Sequence, residues 1–138
     1  MSAPRRYVFE YAALQVVPRV ERGERMNAGL LLYCKGLDYL GARIHLDVAR
    51  LRALDPSADP EAVRRGLEAA ARTCAGQGPA AEEDLLRRFR WLTAPRSTVV
   101  QPGPVHTGLT SDPDSEADRL TALLVLALDA GEPATTDN

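Results

Sequence analysis

The apolar positions in the first third of the chain come in three short runs, the last of which alternates with a two-residue period. Tyr7 to Val17 reads Tyr-Val-Phe-Glu-Tyr-Ala-Ala-Leu-Gln-Val-Val. Its β-branched and aromatic content predicts a strand, and both alternating faces are largely apolar, as in a central strand covered on two sides. Pro18 ends it, because proline supplies no ladder N–H. Ala28 to Cys34 is a second apolar run, and Lys35-Gly36-Leu37-Asp38 reads as a turn in which Gly36 is free to take positive φ. Tyr39 to Leu46 then alternates: Leu40, Ala42, Ile44 and Leu46 share one face, Gly41, Arg43 and His45 the other. The first 46 residues are therefore expected to form an antiparallel three-stranded meander.

Beyond residue 46 the period lengthens to that of a helix. Asp47 to Leu54 predicts a short helix closed by Asp55-Pro56. Asp59-Pro60-Glu61 is a second helix start, with Asp59 as N-cap and proline at the first helical position. Val63, Leu67, Ala70 and Cys74 recur at helical spacing until Gly76-Gln77-Gly78-Pro79 stops the run. Ala80 to Leu92 predicts a third helix, opened by Glu82, Glu83 and Asp84 and striped by Leu85, Leu86, Phe89 and Leu92. The second and third helices would form a hairpin packed on the sheet. Thr98–Gln101 and Val105–Leu109 read as short extended pieces separated by the turn-forming Pro102-Gly103-Pro104. Asp112-Pro113 repeats the cap-and-proline start. Leu120, Leu123, Leu124, Ala127 and Leu128 give that last helix its buried side, and Gly131 its stop. The class is α+β: an antiparallel β-meander sheet packed against a helical hairpin and a C-terminal helix.

Length and composition agree with that outline. With 138 residues, 45% apolar and 26% charged, the chain is expected to be a single α+β domain over residues 1–131, followed by a polar, frayed tail at 132–138. No apolar run approaches the ~20 residues that cross a bilayer, and no signal-peptide core follows the N-terminal arginines, so a soluble, cytoplasmic protein without a membrane partner is expected. Cys34 and Cys74 have no CxxC neighbour, and with only His45 and His106 beside them there is no zinc pattern; two reduced, buried thiols are expected, and neither a metal nor a cofactor.

Charge changes the picture more. The net charge is −2, and Lys35 is the only lysine, an arginine bias that a GC-rich coding sequence would also produce. Residues 1–54 carry a net +4, residues 55–111 are balanced, and residues 112–138 carry −6. A basic first third and an acidic last one point to self-complementarity or to a partner of opposite face. A dedicated duplex binder would be net basic, so nucleic acid is disfavoured. Arg87, Arg88 and Arg90, interleaved with Phe89 and Trp91, could touch RNA, but Phe89 belongs to the core stripe and the patch reads better as a solvated helix face.

Candidate chemistry concentrates between the first two strands. Pro18 to Asn27 holds three arginines, two glutamates and an asparagine, held at both ends by a sheet. Arg19, Arg22, Glu24, Arg25 and Asn27 are the candidate binding residues. Arg22 could clamp a phosphate or carboxylate, Glu24 could take a proton or a metal, and Asn27 could orient either. The plainer alternative is an Arg–Glu ion-pair network closing a long hairpin, with Asn27 in an Asx-type turn. His106, six residues before Asp112, is a secondary candidate with the pattern of a general base and its orienting carboxylate, or of an ordinary loop histidine. Arg43 and His45 could together face an acidic partner. Cys34 lies in an apolar strand, unlike a reactive thiol. No nucleophile elbow, zinc-protease, Walker or dinucleotide motif occurs, and no catalytic residue is assigned.

The same loop carries a resemblance. Arg22-Gly23-Glu24, Asn27-Ala28-Gly29 and Leu30-Leu31-Leu32, following Val16-Val17-Pro18, resemble the bacterial family known as domain of unknown function 3037. Phe89-Arg90-Trp91-Leu92-Thr93, Arg96-Ser97-Thr98 and Asp112-Pro113 extend the likeness over most of residues 7–128. The family has no established activity, and the resemblance implies only an accessory role, its members being often encoded beside HipA-like kinases. The expected function is a non-catalytic interaction or accessory module for a cytosolic protein partner, with a HipA-like kinase as the candidate, contacted through the Arg22–Asn27 loop. The alternative is a small phosphate- or nucleotide-binding domain or hydrolase, in which Arg22 holds the anion, Glu24 is base or metal ligand and His106 completes the site.

Overall fold

A computed structural model of the chain describes residues 3–126. Its strands are β1 (Tyr7–Val16), β2 (Met26–Cys34), β3 (Tyr39–Ile44), β4 (Val100–Pro102) and β5 (His106–Thr110). Its helices are α1 (Val48–Leu54), α2 (Pro60–Cys74), α3 (Leu85–Thr93) and α4 (Pro113–Leu124). The sheet is antiparallel, in the order β3-β2-β1-β4, with β5 also on β1. The expected meander is therefore present, and the α+β class with it.

The joint between the two late extended pieces differs from expectation. Both β4 and β5 run antiparallel to β1 along the same edge, β4 opposite Leu14–Val16 and β5 opposite Tyr7–Tyr11. The segment between them does not reverse the chain. Pro102 lies inside β4, and Gly103 N–H still donates to Ala13 O at 2.8 Å. Proline is tolerated there because the strand is at an edge.

Both faces of the sheet are covered. Leu14, Val16, Met26, Ala28, Leu31 and Tyr33 pack against Leu51, Val63, Leu67, Phe89 and Leu92 from α1, α2 and α3. On the other face, Phe9, Leu30, Leu32 and Cys34 pack against Ala117 and Leu120 of α4. Complete burial of a side chain such as Phe89 contributes about 1.5–3 kcal/mol. Met26 and Ala28 should share a face with Leu30, by strict alternation. A bulge moves them: Leu14 faces Gly29 while Gln15 faces Asn27, leaving Ala28 as the extra residue. Gly29 sits at this step against β3, where a Cβ would come 2.6 Å from the Arg43 carbonyl oxygen.

The helix starts follow their caps. Asp47, Asp59 and Asp112 accept from Arg50 N–H, Glu61 N–H and Ser115 N–H. The third helix begins at Leu85, not at Ala80, because Asp84 takes the cap position and accepts from Arg87 N–H; Gly78–Ala80 form a separate 3-10 turn. Strand β3 ends at Ile44 instead of Leu46, since Asp47 opens α1 so soon after. In the turn before β3, positive φ falls on Asp38 (+50°), the residue closing a 3-10 turn over Lys35–Leu37, and not on Gly36. Gly36 serves close approach instead: a Cβ there would lie 2.3 Å from the Tyr7 ring. On α4, Ala117 and Leu120 are buried while Leu123 is 39% exposed, off the stripe. Ala127, Leu128, the stop at Gly131 and the tail lie outside the described residues.

The face of β3 expected to be polar lies beneath α4. Arg43 donates from Nη2 to Asp114 Oδ1 at 2.8 Å and from Nε to Asp118 Oδ1 at 2.9 Å. Tyr39 Oη donates to Asp114 Oδ1 at 3.0 Å. The acidic partner of Arg43 is thus the chain's own last helix, one instance of the charge split turned inward. Burial alone would lower the pKa of Arg43, but its hydrogen bonds to Asp118, Asp114 and Tyr39 outweigh that and raise it.

Two expectations follow from this packing. Gly29→Ala should cost about 1–3 kcal/mol, read as a lowered urea midpoint, because the methyl meets backbone that cannot step aside; unchanged stability would contradict so close a β2–β3 approach. The hydrogen bond from Arg43, and after it that from Tyr39, hold the Asp114 carboxyl below its ordinary range. The folded chain thus binds that proton more weakly than the unfolded chain. The stabilisation is complete above the unfolded carboxyl pKa of about 4 and is lost as pH falls through the depressed folded value. Asp114→Asn should melt below the wild type at about pH 6, and the gap should close towards about pH 2.

Candidate functional site

The chain leaves β1 through Val17, whose N–H donates to Val99 O at 2.7 Å. Residues 19–23 then wind into one tight turn, with Arg22 N–H on Arg19 O at 3.0 Å and Gly23 N–H on Val20 O at 3.2 Å. Gly23 ends the turn at φ +71°, the left-handed conformation that glycine adopts without strain. The loop's charges are spent on neighbours. Arg22 Nε donates to Glu24 Oε1 at 2.8 Å, an exposed pair. Arg19 lies 3.7 Å from Glu21 and 3.6 Å from Asp55, which ties the loop to the end of α1. Asp55 is only 7% exposed, and its Oδ1 accepts from both the N–H and the hydroxyl of Ser57. Arg25 donates to Gly23 O at 3.3 Å and to Gln15 Oε1 at 3.1 Å.

Asn27 is not a loop residue. It stands on β2, where its Oδ1 accepts from Gln15 Nε2 at 3.1 Å and its Nδ2 donates to Leu124 O at 3.1 Å. That second bond takes one of the carbonyls that a helix C-terminus leaves unpaired, so Asn27 fastens the end of α4 to the sheet and makes no Asx turn. Glu24 is held below its ordinary carboxyl range by the hydrogen bond from Arg22 and then by its charge. A carboxylate so held is a weak base.

The other candidates stand apart from the loop. His106 is on β5 opposite Tyr11, with the two rings 5.4 Å apart between centroids. The stretch of β1 from Tyr11 to Val16 separates it from the loop by about 17 Å at the usual strand rise. Asp112 does not orient His106, because its carboxylate receives Ser115 N–H at 3.2 Å and Ser115 Oγ at 2.9 Å. Cys34 is buried, with its sulfur 3.5 Å from Val8 O. Burial pushes the Cys74 thiol up to about 11, against the lowering effect of Arg88. Among the described residues no group of three or more His, Cys, Asp or Glu side chains could hold a metal ion.

A second feature, unassigned from the residues, adjoins the loop. Between α2 and β4 runs a groove of about 550 Å³, lined by Ala62, Gly66, Ala69, Val99, Val100 and Trp91. Pro18, the first loop residue, is part of its lining. A Cβ on Gly66 would lie 2.9 Å from Val100 Cγ2, so glycine lets β4 approach α2 closely. Trp91 is 63% exposed, with the Arg96 guanidinium 6.0 Å from its ring centroid. Arg96 also donates to Trp91 O and to Ala94 O. Beyond the indole lies a second concavity of about 750 Å³, bordered by Pro79, Ala80, Glu83, Arg87 and Arg90. Trp91 therefore forms a ridge between two hollows. The sequence held one signal for it. Trp91 falls about 200° around the helix from Phe89, off the buried stripe, and a large aromatic on the outer face has no core role.

A family model described as a protein of unknown function, DUF3037, matches residues 11–125. The chain belongs to that family. No curated protein and no solved structure matches it. The DUF3037 match takes in the loop, the groove and Trp91 alike.

The two parts of the loop should respond differently to mutation. Asn27→Ala removes two part-buried hydrogen bonds and should cost about 1–2 kcal/mol in urea unfolding, with faster amide exchange at the end of α4. The Arg22→Ala/Glu24→Ala double variant, which removes only an exposed pair, should melt with the wild type. A large drop in its melting temperature would mean that the pair holds the hairpin closed.

Proposed function

We propose that this DUF3037 protein is a non-catalytic interaction module that docks a protein partner on the face carrying Trp91. A HipA-like kinase is the first partner class to test. The observation behind this reading is the indole itself: a large apolar ring, mostly in water, between two concavities. Tryptophan and arginine side by side are the residue types that dominate binding energy at protein interfaces. Arg96 contributes to the ridge's rigidity, because its guanidinium is tied to two carbonyls of the turn after α3 and lies over the ring. The Arg22 loop borders the same groove through Pro18, and its residues, already paired with one another, suit the rim of a contact more than its centre.

The experiment is capture of the tagged full chain, cross-linked in its native cells and quantified by mass spectrometry. Wild type is compared with Trp91→Ala and with Arg22→Ala/Glu24→Ala. The expected result is one protein recovered in near-stoichiometric amount, lost with Trp91→Ala and retained by the loop variant. Retention by Trp91→Ala with loss in the loop variant would move the contact to the loop. No stoichiometric protein in any sample would overturn the interaction reading.

A further inference from the structure

Arginines stand on the two helices that carry the groove and the Trp91 ridge, and several of them have no ion-pair partner among the described residues. Arg64 is held by Glu61, and Arg87 lies 3.6 Å from Glu83. Arg65, Arg72 and Arg90 are exposed and have no ion-pair partner among the described residues. On α2 the groove positions Ala62, Gly66, Ala69 and Thr73 repeat at helical spacing, and Arg65 and Arg72 fall about 60–80° around from them. Helical spacing thus sets them on the flank of that stripe, outside the residues that line the groove. Arg90 and Arg96 stand at the Trp91 end. Of the two acidic residues that line the hollows, Asp59 caps α2 and Glu83 faces Arg87. The surface is apolar in the middle and positive at the margin, on a protein whose net charge is negative.

Backbone chemistry decides what shape of segment fits. Val17 N–H on Val99 O and Gly103 N–H on Ala13 O turn residues 99 and 103 towards β1. Strand alternation then sends the backbone groups of Val100 and Pro102 outward. Val100 O already accepts from Thr98 Oγ1 at 2.7 Å, and Pro102 has no N–H. An extended peptide would find almost no ladder there, whereas a helix brings its own hydrogen bonds. The small side chains of α2 between Ala62 and Thr73 offer about 17 Å of close approach, three turns of a docked helix.

We infer that the groove takes an acidic amphipathic helix of the partner. Apolar residues at i, i+3, i+4 and i+7 would lie on the α2 stripe and against Trp91, and flanking Asp or Glu would meet Arg65, Arg72, Arg90 and Arg96. This rests on the reading of the Trp91 face as a protein contact, and adds the chemistry of what binds there.

Trp91 is the only tryptophan of the chain, so its emission reports the groove directly. The full chain would be titrated with two helical peptides of about 18 residues, sharing one leucine stripe but carrying either glutamate or lysine on the flanks. The glutamate peptide is expected to shift the emission to shorter wavelength, and the lysine peptide to leave it unchanged. The glutamate affinity should fall at least about tenfold in high salt, where surface charges are screened. Arg65→Glu/Arg90→Glu should weaken it similarly, and Ala69→Lys, placed in the groove at an exposed position, should abolish it. Equal response to both peptides would reduce the site to an apolar one and overturn the charge argument. No response to either, with the cellular partner still lost in Trp91→Ala, would overturn the acidic helix alone; absence of any cellular partner would overturn the reading beneath it.

Discussion

Leu30, Leu31 and Leu32 follow one another on β2, and water reaches none of them. Successive residues of a strand point to opposite faces, so such a run must be covered above and below. The remaining architecture meets that demand unequally. On one face α1, α2 and α3 supply a broad apolar layer around Phe89 and Leu67. On the other, α4 brings only Ala117 and Leu120 into full burial. A helix with so narrow an apolar seam needs other fastenings, and it has them near each end. Arg43 holds Asp114 and Asp118 in its first turns, and Asn27 takes the Leu124 carbonyl in its last. The covering of β2 on this side is thus partly a matter of hydrogen bonds.

The bulge at Ala28 belongs to the same problem. Met26 and Ala28 join the thicker core only because one extra residue resets the alternation before Leu30. Without it they would face α4, and Asn27 would turn away from the Leu124 carbonyl. Gly29 makes the step possible by letting the β3 backbone come close. The residues that set this geometry, Asn27 and Gly29, lie directly after the arginine loop. Asn27 belongs with its neighbours in sequence, but its chemistry belongs to the sheet.

Strand positions were legible because short apolar runs, the first rich in β-branched and aromatic residues, are cut off by Pro18 and by the turn at residue 36, and because the third run alternates. Two helix starts were legible as an aspartate cap followed by proline, at Asp59-Pro60 and Asp112-Pro113. At Glu82-Glu83-Asp84 three acids in a row all suit a helix N-terminus, and only packing shows that Asp84 is the cap. The bulge left no trace, since both faces of β2 are apolar and a shift of one residue exchanges leucine for leucine. The covered face of β3 was hidden for a related reason. Arg43 reads as polar and solvated, and nothing local reveals that two carboxylates more than seventy residues later come to meet it.

Charge density alone draws attention to the loop, and the structure pairs much of that charge within it. Opposite charges set two residues apart, as in Arg22 and Glu24, satisfy each other at once, and a dense loop can therefore offer little to a partner. Arginines of one sign on adjoining helices cannot do this. Arg65, Arg72 and Arg90 repel one another, and no described carboxylate reaches them. A charge left unpaired among the described residues, beside an apolar surface that they leave uncovered, says more than charge count. The groove owes its depth to residues that sequence reading passes over, since alanines at 62 and 69 and the glycine at 66 look like helix filler. Their smallness is visible in the sequence; that β4 and Trp91 stand on either side of them is a tertiary fact. Trp91 alone connects the two levels, because helical periodicity by itself marks an indole opposite a buried stripe as anomalous.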